Sequence, residues 1–180
     1  RTRMLREGTD RRPLAVTHVL LLALNWGTSD EMGAMTHAAV ALPLEFVYLS
    51  TELTRRRVEH EFVDCWARHC SLDDVREQIL RADIVVVCSS PSYLFWRDGV
   101  VNIRFVTRSL QSIKAINPAA RTILIGPHGT VMPESFNGSG ADYIFKGEPD
   151  LIVPELIDKL RAGSSDGDAL PGVVRQRDGN

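Results

Sequence analysis

Short apolar runs punctuate the chain and alternate with amphipathic stretches. Val16 to Asn25, Asp83 to Cys88 and Thr122 to Ile125 are rich in Val, Ile and Leu, the pattern of parallel strands covered on both faces, and Ala141-Asp142-Tyr143-Ile144-Phe145 reads as a further strand. Val58-Glu59-His60-Glu61-Phe62-Val63-Asp64 alternates instead, which predicts a strand nearer the sheet edge. Helices fill the intervals. One starts at Pro43, with Leu44, Val47, Tyr48, Thr51 and Leu53 near helical spacing and Arg55, Arg56 and Arg57 at its end. A second runs from Ser71, which caps Leu72-Asp73-Asp74, to about Arg81. A third spans about Val101 to Ile116 and stops before Asn117-Pro118. The last covers Leu151 to Leu160, before Gly163.

Strands alternating with helices predict an α/β fold: a doubly wound, mainly parallel five-stranded sheet, Rossmann-like or flavodoxin-like, with the first strand central and helices on both faces. Gly172-Val173-Val174-Arg175 is a candidate for one further short strand. The expected organisation is a basic, flexible segment over 1–14, the α/β domain over 15–163, and a linker with a short hairpin over 164–180, in which Ser164 to Asp168 is a flexible connector.

Composition narrows the classes. The 180 residues are 44% apolar and 24% charged with a net charge of -2, values of an ordinary globular domain that ask for neither nucleic acid nor membrane. The run Val19 to Leu24 is strand-length, far short of the roughly 20 residues that span a bilayer, and no signal-peptide pattern precedes it. A cytoplasmic location is expected. Cys65, Cys70 and Cys88 are an odd number of cysteines without metal-ligand spacing, which favours free thiols over a disulfide framework or zinc site. No Cys-x3-Cys-x2-Cys motif occurs, so no iron-sulfur cluster is expected on this chain.

Candidate chemistry gathers where the strands end. Gly126-Pro127-His128-Gly129-Thr130-Val131-Met132-Pro133-Glu134 directly follows Thr122 to Ile125, and it predicts a small-residue loop at the carboxyl edge of the sheet, where ligands dock in open α/β folds. Glycine there lets the backbone approach a bulky ligand. Asn25-Trp26-Gly27-Thr28, Ser89-Ser90-Pro91-Ser92-Tyr93 and Lys146-Gly147-Glu148 follow three other strands.

In this order the motifs resemble the cobalamin (B12)-binding domain of B12-dependent radical S-adenosylmethionine enzymes, from about Val16 to Asn180. The 126–134 segment is similar to the family's Gly-Gly/Pro-His-x-Thr-x-x-Pro-Glu loop. Pro43-Leu44-Glu45-Phe46-Val47-Tyr48-Leu49-Ser50 resembles its Pro-x-Gly-Leu-x-x-Leu-Ala helix. Asp83 to Ser89 resembles its Asp-x-Val-(Gly/Val)-x-Ser strand, and Ala141-Asp142-Tyr143 with Lys146-Gly147-Glu148 its Asp-Tyr-(Val/Ile)-x-(Arg/Lys)-Gly-Glu segment. Leu170 to Val174 through Asp178-Gly179 resembles the hairpin that leads into the radical barrel.

The resemblance implies a methyltransferase part that holds cobalamin as methyl carrier and is inactive alone. S-adenosylmethionine and a [4Fe-4S] cluster are expected in a downstream barrel, in cis or in trans, with a natural product, peptide or lipid as methyl acceptor. It further implies that Ser89, Ser90, Ser92, Gly126, Gly129 and Thr130 line the nucleotide tail, that Gly147 and Glu148 close its far side, and that Asn25, Trp26, Gly27 and Thr28 lie beneath the corrin. Tyr93, Pro127 and His128 complete the implied cofactor-binding set; no catalytic residue or protein metal ligand is implied. Two departures stand out. An Asp-x-His-x-x-Gly motif would put its glycine at Gly33, but Asp30 then occupies the His place and Thr28 the Asp place, which implies base-off cobalamin without a protein imidazole. Pro127 replaces the family's second Gly and removes an N–H donor.

Ordinary roles compete at each position. His128 is either a structural group or a cofactor contact; Trp26 and Trp96 either flank the corrin or cover the sheet edge. Glu148 could only complement the dipole of the following helix, and Ser89 to Ser92 could be turn and cap chemistry. His18, His37, His60 and His69 are expected in structural or surface roles. Asp30, Trp26 and solvent are all open as the group below cobalt. Two other functions compete: a degenerate domain that serves as scaffold or substrate-recognition module, and a flavin or nucleotide binder on the same architecture, against which the missing Gly-x-Gly-x-x-Gly and Walker loops count.

Overall fold

The computed structural model describes residues 18–26, 42–90, 103–164 and 166–176. Its sheet contains β1 (Val19–Ala23), β2 (His60–Asp64), β3 (Ile84–Cys88), β4 (Arg121–Ile125), β5 (Tyr143–Phe145) and β6 (Val173–Arg175) in the order β2-β1-β3-β4-β5-β6. All neighbours pair parallel except β5 with β6. The doubly wound, mainly parallel α/β fold is therefore as the pattern predicts, in the flavodoxin-like order, with β1 inside and β2 at the edge.

Helices α1 (Leu44–Arg55) and α5 (Pro149–Arg161) cover one face, α2 (Arg76–Arg81) and α3 (Ile103–Ile116) the other. Val19, Leu21, Ile84, Val86 and Ile123 point to Phe46, Leu49, Leu53, Val153 and Leu156. Leu20, Leu22, Val85, Val87 and Leu124 point to Ile79, Val106, Leu110 and Ile113. Every residue of β1 and β3 is buried, which is why those runs are continuously apolar rather than alternating. No helix of the described residues is long and apolar enough to cross a membrane.

Four expectations need correction. The sheet has six strands, because Gly172 adopts φ +77 and a Cβ on it would stand 2.6 Å from the Lys146 carbonyl oxygen, so a tight reversal seats 173–175 on β5. The 164–168 connector includes a 3₁₀ turn, Asp166–Ala169, with Gly167 buried where a Cβ would lie 2.7 Å from Leu156. The inward stripe of α1 is Phe46, Leu49 and Leu53, whereas Leu44 and Tyr48 are exposed; Phe46 wins the interior by packing on Phe62. Helix α2 begins at Arg76, after turns that Ser71 and Asp74 tie by reciprocal bonds: the Ser71 N–H and hydroxyl donate to Asp74 Oδ2 at 2.8 and 2.7 Å. That bonding holds the Asp74 carboxyl below its usual pKa.

The amino edge of the sheet is fastened by side chains. Asp142 Oδ2 accepts from Lys114 Nζ at 2.6 Å and from the Thr122 N–H at 2.8 Å, which joins α3, β4 and the start of β5. Asn117 Nδ2 donates to the Ile79 and Ala82 carbonyls, both at 2.9 Å, and so ties α2 to the turn before β4. Asp142→Ala leaves Lys114 Nζ only its bond to the Ala120 carbonyl and leaves the Thr122 N–H without its acceptor in partly buried surroundings, and should lower stability by about 1–3 kcal/mol. Urea denaturation checks this; a midpoint unchanged from wild type would refute it.

Candidate functional site

Strand order reverses between β1 and β3, and in open α/β sheets ligands dock outside the carboxyl ends of strands at such a switch point. Among the described residues, short connections at 56–59, 82–83 and 117–120 cross the amino edge, whereas Asn25, Ser89, Gly126 and Lys146-Gly147-Glu148 follow the strands at the carboxyl edge.

The strand-end motifs meet there in two hydrogen-bonded sets joined by one short helix. Ser89 follows β3, and its Oγ accepts from the His128 N–H at 3.1 Å. Ser90 Oγ lies 3.4 Å from His128 Nδ1, and the Ser90 carbonyl accepts from the Cys88 thiol at 2.9 Å. After β4 the chain passes Gly126 and forms a short helix, α4 (Pro127–Val131), instead of the expected open loop. Pro127 sits in its first turn, where its missing N–H costs no helical bond. Thr130 Oγ1 donates to the Gly126 carbonyl at 3.0 Å and accepts the Gly147 N–H at 3.1 Å. The row thus runs from Ser89 and Ser90 through His128 and Thr130 to Gly147, across the ends of β3, β4 and β5.

Local conformation explains the glycines. Gly126 has φ +100, and a Cβ there would meet Cys88 Sγ at 2.7 Å and Ser89 Oγ at 2.9 Å. Its bareness lets β4 turn against β3. A Cβ on Gly129 would stand 3.1 Å from the Ile144 side chain, so this glycine seats α4 on β5. Gly147 is exposed, with φ +116, and a Cβ there would meet only the Phe145 ring, at 3.8 Å or more.

Burial sorts the sequence-derived set. Ser89 and Ser90 are 0% exposed and His128 6%. Thr130 and Pro127 are half-buried, and Gly147 and Glu148 are exposed. Glu148 stands at the N-cap of α5 without a side-chain capping bond. Asn25 Nδ2 donates to the Cys70 carbonyl at 3.1 Å, which ties the exit of β1 to the β2–α2 connection. Trp26 is 2% exposed and meets Phe105 edge-on at 4.9 Å, so its ring closes the core below the edge. Gly27, Thr28, Ser92, Tyr93, Asp30, Gly33, His37 and Trp96 lie outside the described residues. Among the described residues no three His, Cys, Asp or Glu side chains gather as a metal site. Sequence reasoning missed Cys88 and Cys70, which support the row and Asn25; an apolar strand end gives no sign of a thiol or carbonyl contact.

Burial holds the His128 imidazole below its ordinary pKa of 6.5, and likewise pushes the Cys88 thiol up.

No protein-family model matches the chain, and no curated protein sequence matches it. Its fold is similar to two structures of the radical S-adenosylmethionine methyltransferase TsrM from Kitasatospora setae. One, with cobalamin and a [4Fe-4S] cluster bound, aligns at TM-score 0.68 and 19% identity over 89% of this chain. The other, with tryptophan substrate and the S-adenosylmethionine analogue aza-SAM, aligns at TM-score 0.67 and 18% identity over 88%. The chain covers only 27% and 28% of those proteins. At such identity the likeness establishes the Rossmann-like architecture.

Two measurements test this site. Gly126→Ala should cost about 2–4 kcal/mol, from a left-handed φ plus collision with β3, against about 1–2 kcal/mol for Gly138→Ala, where φ is +71 but nothing lies within 4 Å; equal losses in urea would contradict the close-approach account. His128 makes the second. Because its folded pKa is depressed, the unfolded chain takes up a proton that the folded protein refuses; stability is complete above the unfolded value and is lost as pH falls through it. Denaturation midpoints between about pH 7.5 and pH 5 should therefore fall more for wild type than for His128→Gln, and parallel profiles would show that His128 carries no such linkage.

Proposed function

We propose that the chain is the cobalamin-binding domain of a radical S-adenosylmethionine methyltransferase. The observation that carries the proposal is the row from Ser89 to Gly147 at the switch point, on a fold that superposes on the cobalamin-bound TsrM structure over 89% of this chain. Residues and cofactor suit each other. A corrin with a nucleotide tail is large and studded with neutral amides, and it needs bare backbone and small polar groups rather than a charged pocket. Gly147 offers open backbone, and Thr130 a half-buried hydroxyl.

Bound there, cobalamin supplies a cobalt centre able to accept and donate a methyl group, chemistry that no side chain provides. The protein's part is to bind and orient. Thr130 holds Gly147 and the end of β5 in place through its two bonds, and Ser89 fixes α4 through the His128 amide. His128 is buried and faces Ser90, which supports binding without a protein imidazole on cobalt. The methyl donor, the cluster and a natural-product, peptide or lipid acceptor belong to a barrel domain, in cis or in trans.

A scaffold or recognition role is the rival reading. The burial of Ser89, Ser90 and His128 against one another favours it. Titration with hydroxocobalamin, followed by desalting and an absorbance spectrum, decides between them. Wild type should retain stoichiometric corrin absorbance, and Thr130→Val, which keeps the volume and removes both bonds, should weaken retention about tenfold. Colourless protein with an intact circular dichroism spectrum would refute cofactor binding by this domain and leave the scaffold reading.

A further inference from the structure

The β2–α2 connection holds two cysteines that the proposed function leaves unused. Cys65, immediately after β2, is 1% exposed, and its N–H donates to the Ala23 carbonyl at 2.9 Å. The chain then reverses tightly. Asp64 Oδ1 accepts from the Trp66 and Ala67 N–H groups at 3.0 and 2.9 Å, and His69 takes a left-handed φ of +52. The turn returns Cys70 to Cys65: the Cys70 N–H donates to the Cys65 carbonyl at 3.0 Å, and Cys70 packs against the core cluster that contains Cys65. Cys70 is partly open to solvent, while Cys65 belongs to the core.

We propose that Cys65 and Cys70 are a redox-convertible pair, which closes to an intrachain disulfide on reaction with a low-molecular-weight disulfide such as oxidised glutathione. The asymmetry in exposure sets the order of events. Cys70, as thiolate, attacks one sulfur of the small disulfide and releases one thiolate. The resulting mixed disulfide lies beside Cys65. Cys65 gives its proton to water as its sulfur attacks that of Cys70, and the second small thiolate leaves. The protein loses two electrons and two thiol protons, and the small disulfide is reduced to two thiols. Burial, and after it the neighbouring Cys70 side chain, hold the Cys65 thiol protonated well above its usual range, so the exposed partner is the one captured first. The 3.0 Å backbone bond holds the two residues together, the proximity that closure requires.

The pair is coupled to the edge of the sheet. The carbonyl of Cys70 is the acceptor for Asn25 Nδ2, so a change in the turn reaches the exit of β1. Formation of the bond does not depend on cobalamin.

The test uses the whole 180-residue protein, fully reduced, then exposed to oxidised glutathione, with intact mass, peptide mapping and thiol titration after denaturation. Wild type should go from three titratable thiols to one, lose the mass of two hydrogens and yield a peptide linked at Cys65 and Cys70, all reversed by dithiothreitol. Cys70→Ser should keep both remaining thiols. Cys65→Ser, checked for folding by circular dichroism, should instead accumulate glutathione on Cys70. Wild type that stops at the glutathione adduct, remains fully reduced, or forms its bridge through Cys88 would each overturn the proposal.

Discussion

Burial of the central sheet on both faces is the constraint from which the rest of this molecule follows. With β1 and β3 wholly buried and helices on each side, no position along those strands can hold a polar side chain without losing hydration. Polar chemistry is pushed to the two edges where the strands stop. The edges then diverge: side-chain bonds fasten the amino edge, and the row from Ser89 to Gly147 lies across the carboxyl edge. Asp142, Asn117 and the His18–Asp83 contact, in which the His18 N–H reaches Asp83 Oδ2 at 2.9 Å, fasten the first edge. The second edge is where a ligand can be met.

Much of this is legible in the sequence, and the reason is the same constraint. A strand buried on both faces must be apolar almost throughout, so the runs Val16 to Asn25, Asp83 to Cys88 and Thr122 to Ile125 announce themselves, and β2 reveals its edge position by alternation. What the pattern misses is set by contacts between distant segments. The α1 stripe is misread because apolar residues outnumber the positions of one face, and contacts with other elements, Phe62 of β2 among them, select Phe46. Strand β6 is no more than a candidate in the sequence because its pairing depends on how closely Gly172 passes the Lys146 carbonyl.

The site is legible in its location more than in its geometry. Small residues after consecutive strands predict an edge where chains crowd, but residue type alone cannot say whether a serine there faces inward or outward. Ser89 and Ser90 face inward. For Trp26 the sequence leaves open whether the ring covers the sheet or flanks a ligand, and its contact with Phe105 puts it in the core. Asp142, which belongs to a motif like that of a cofactor domain, stands at the opposite edge from the row and fastens β4 to β5. A family-like motif can therefore mark the scaffold rather than the ligand.

The same distinction applies to the glycines. In a cofactor slot glycine clears space for the ligand; here Gly126 clears it for Cys88 and Ser89, and Gly129 for Ile144. A bulky residue at either position would displace protein atoms before reaching anything bound, so loss of binding in such a variant reports the packing of β3, β4 and β5. Thr130 and Gly147 differ, because they stand at the outer end of the row, where the surroundings are open. The inner residues set the shape of the edge and the outer ones present it. Discrimination between a cofactor site and a scaffold must therefore come from the outer pair.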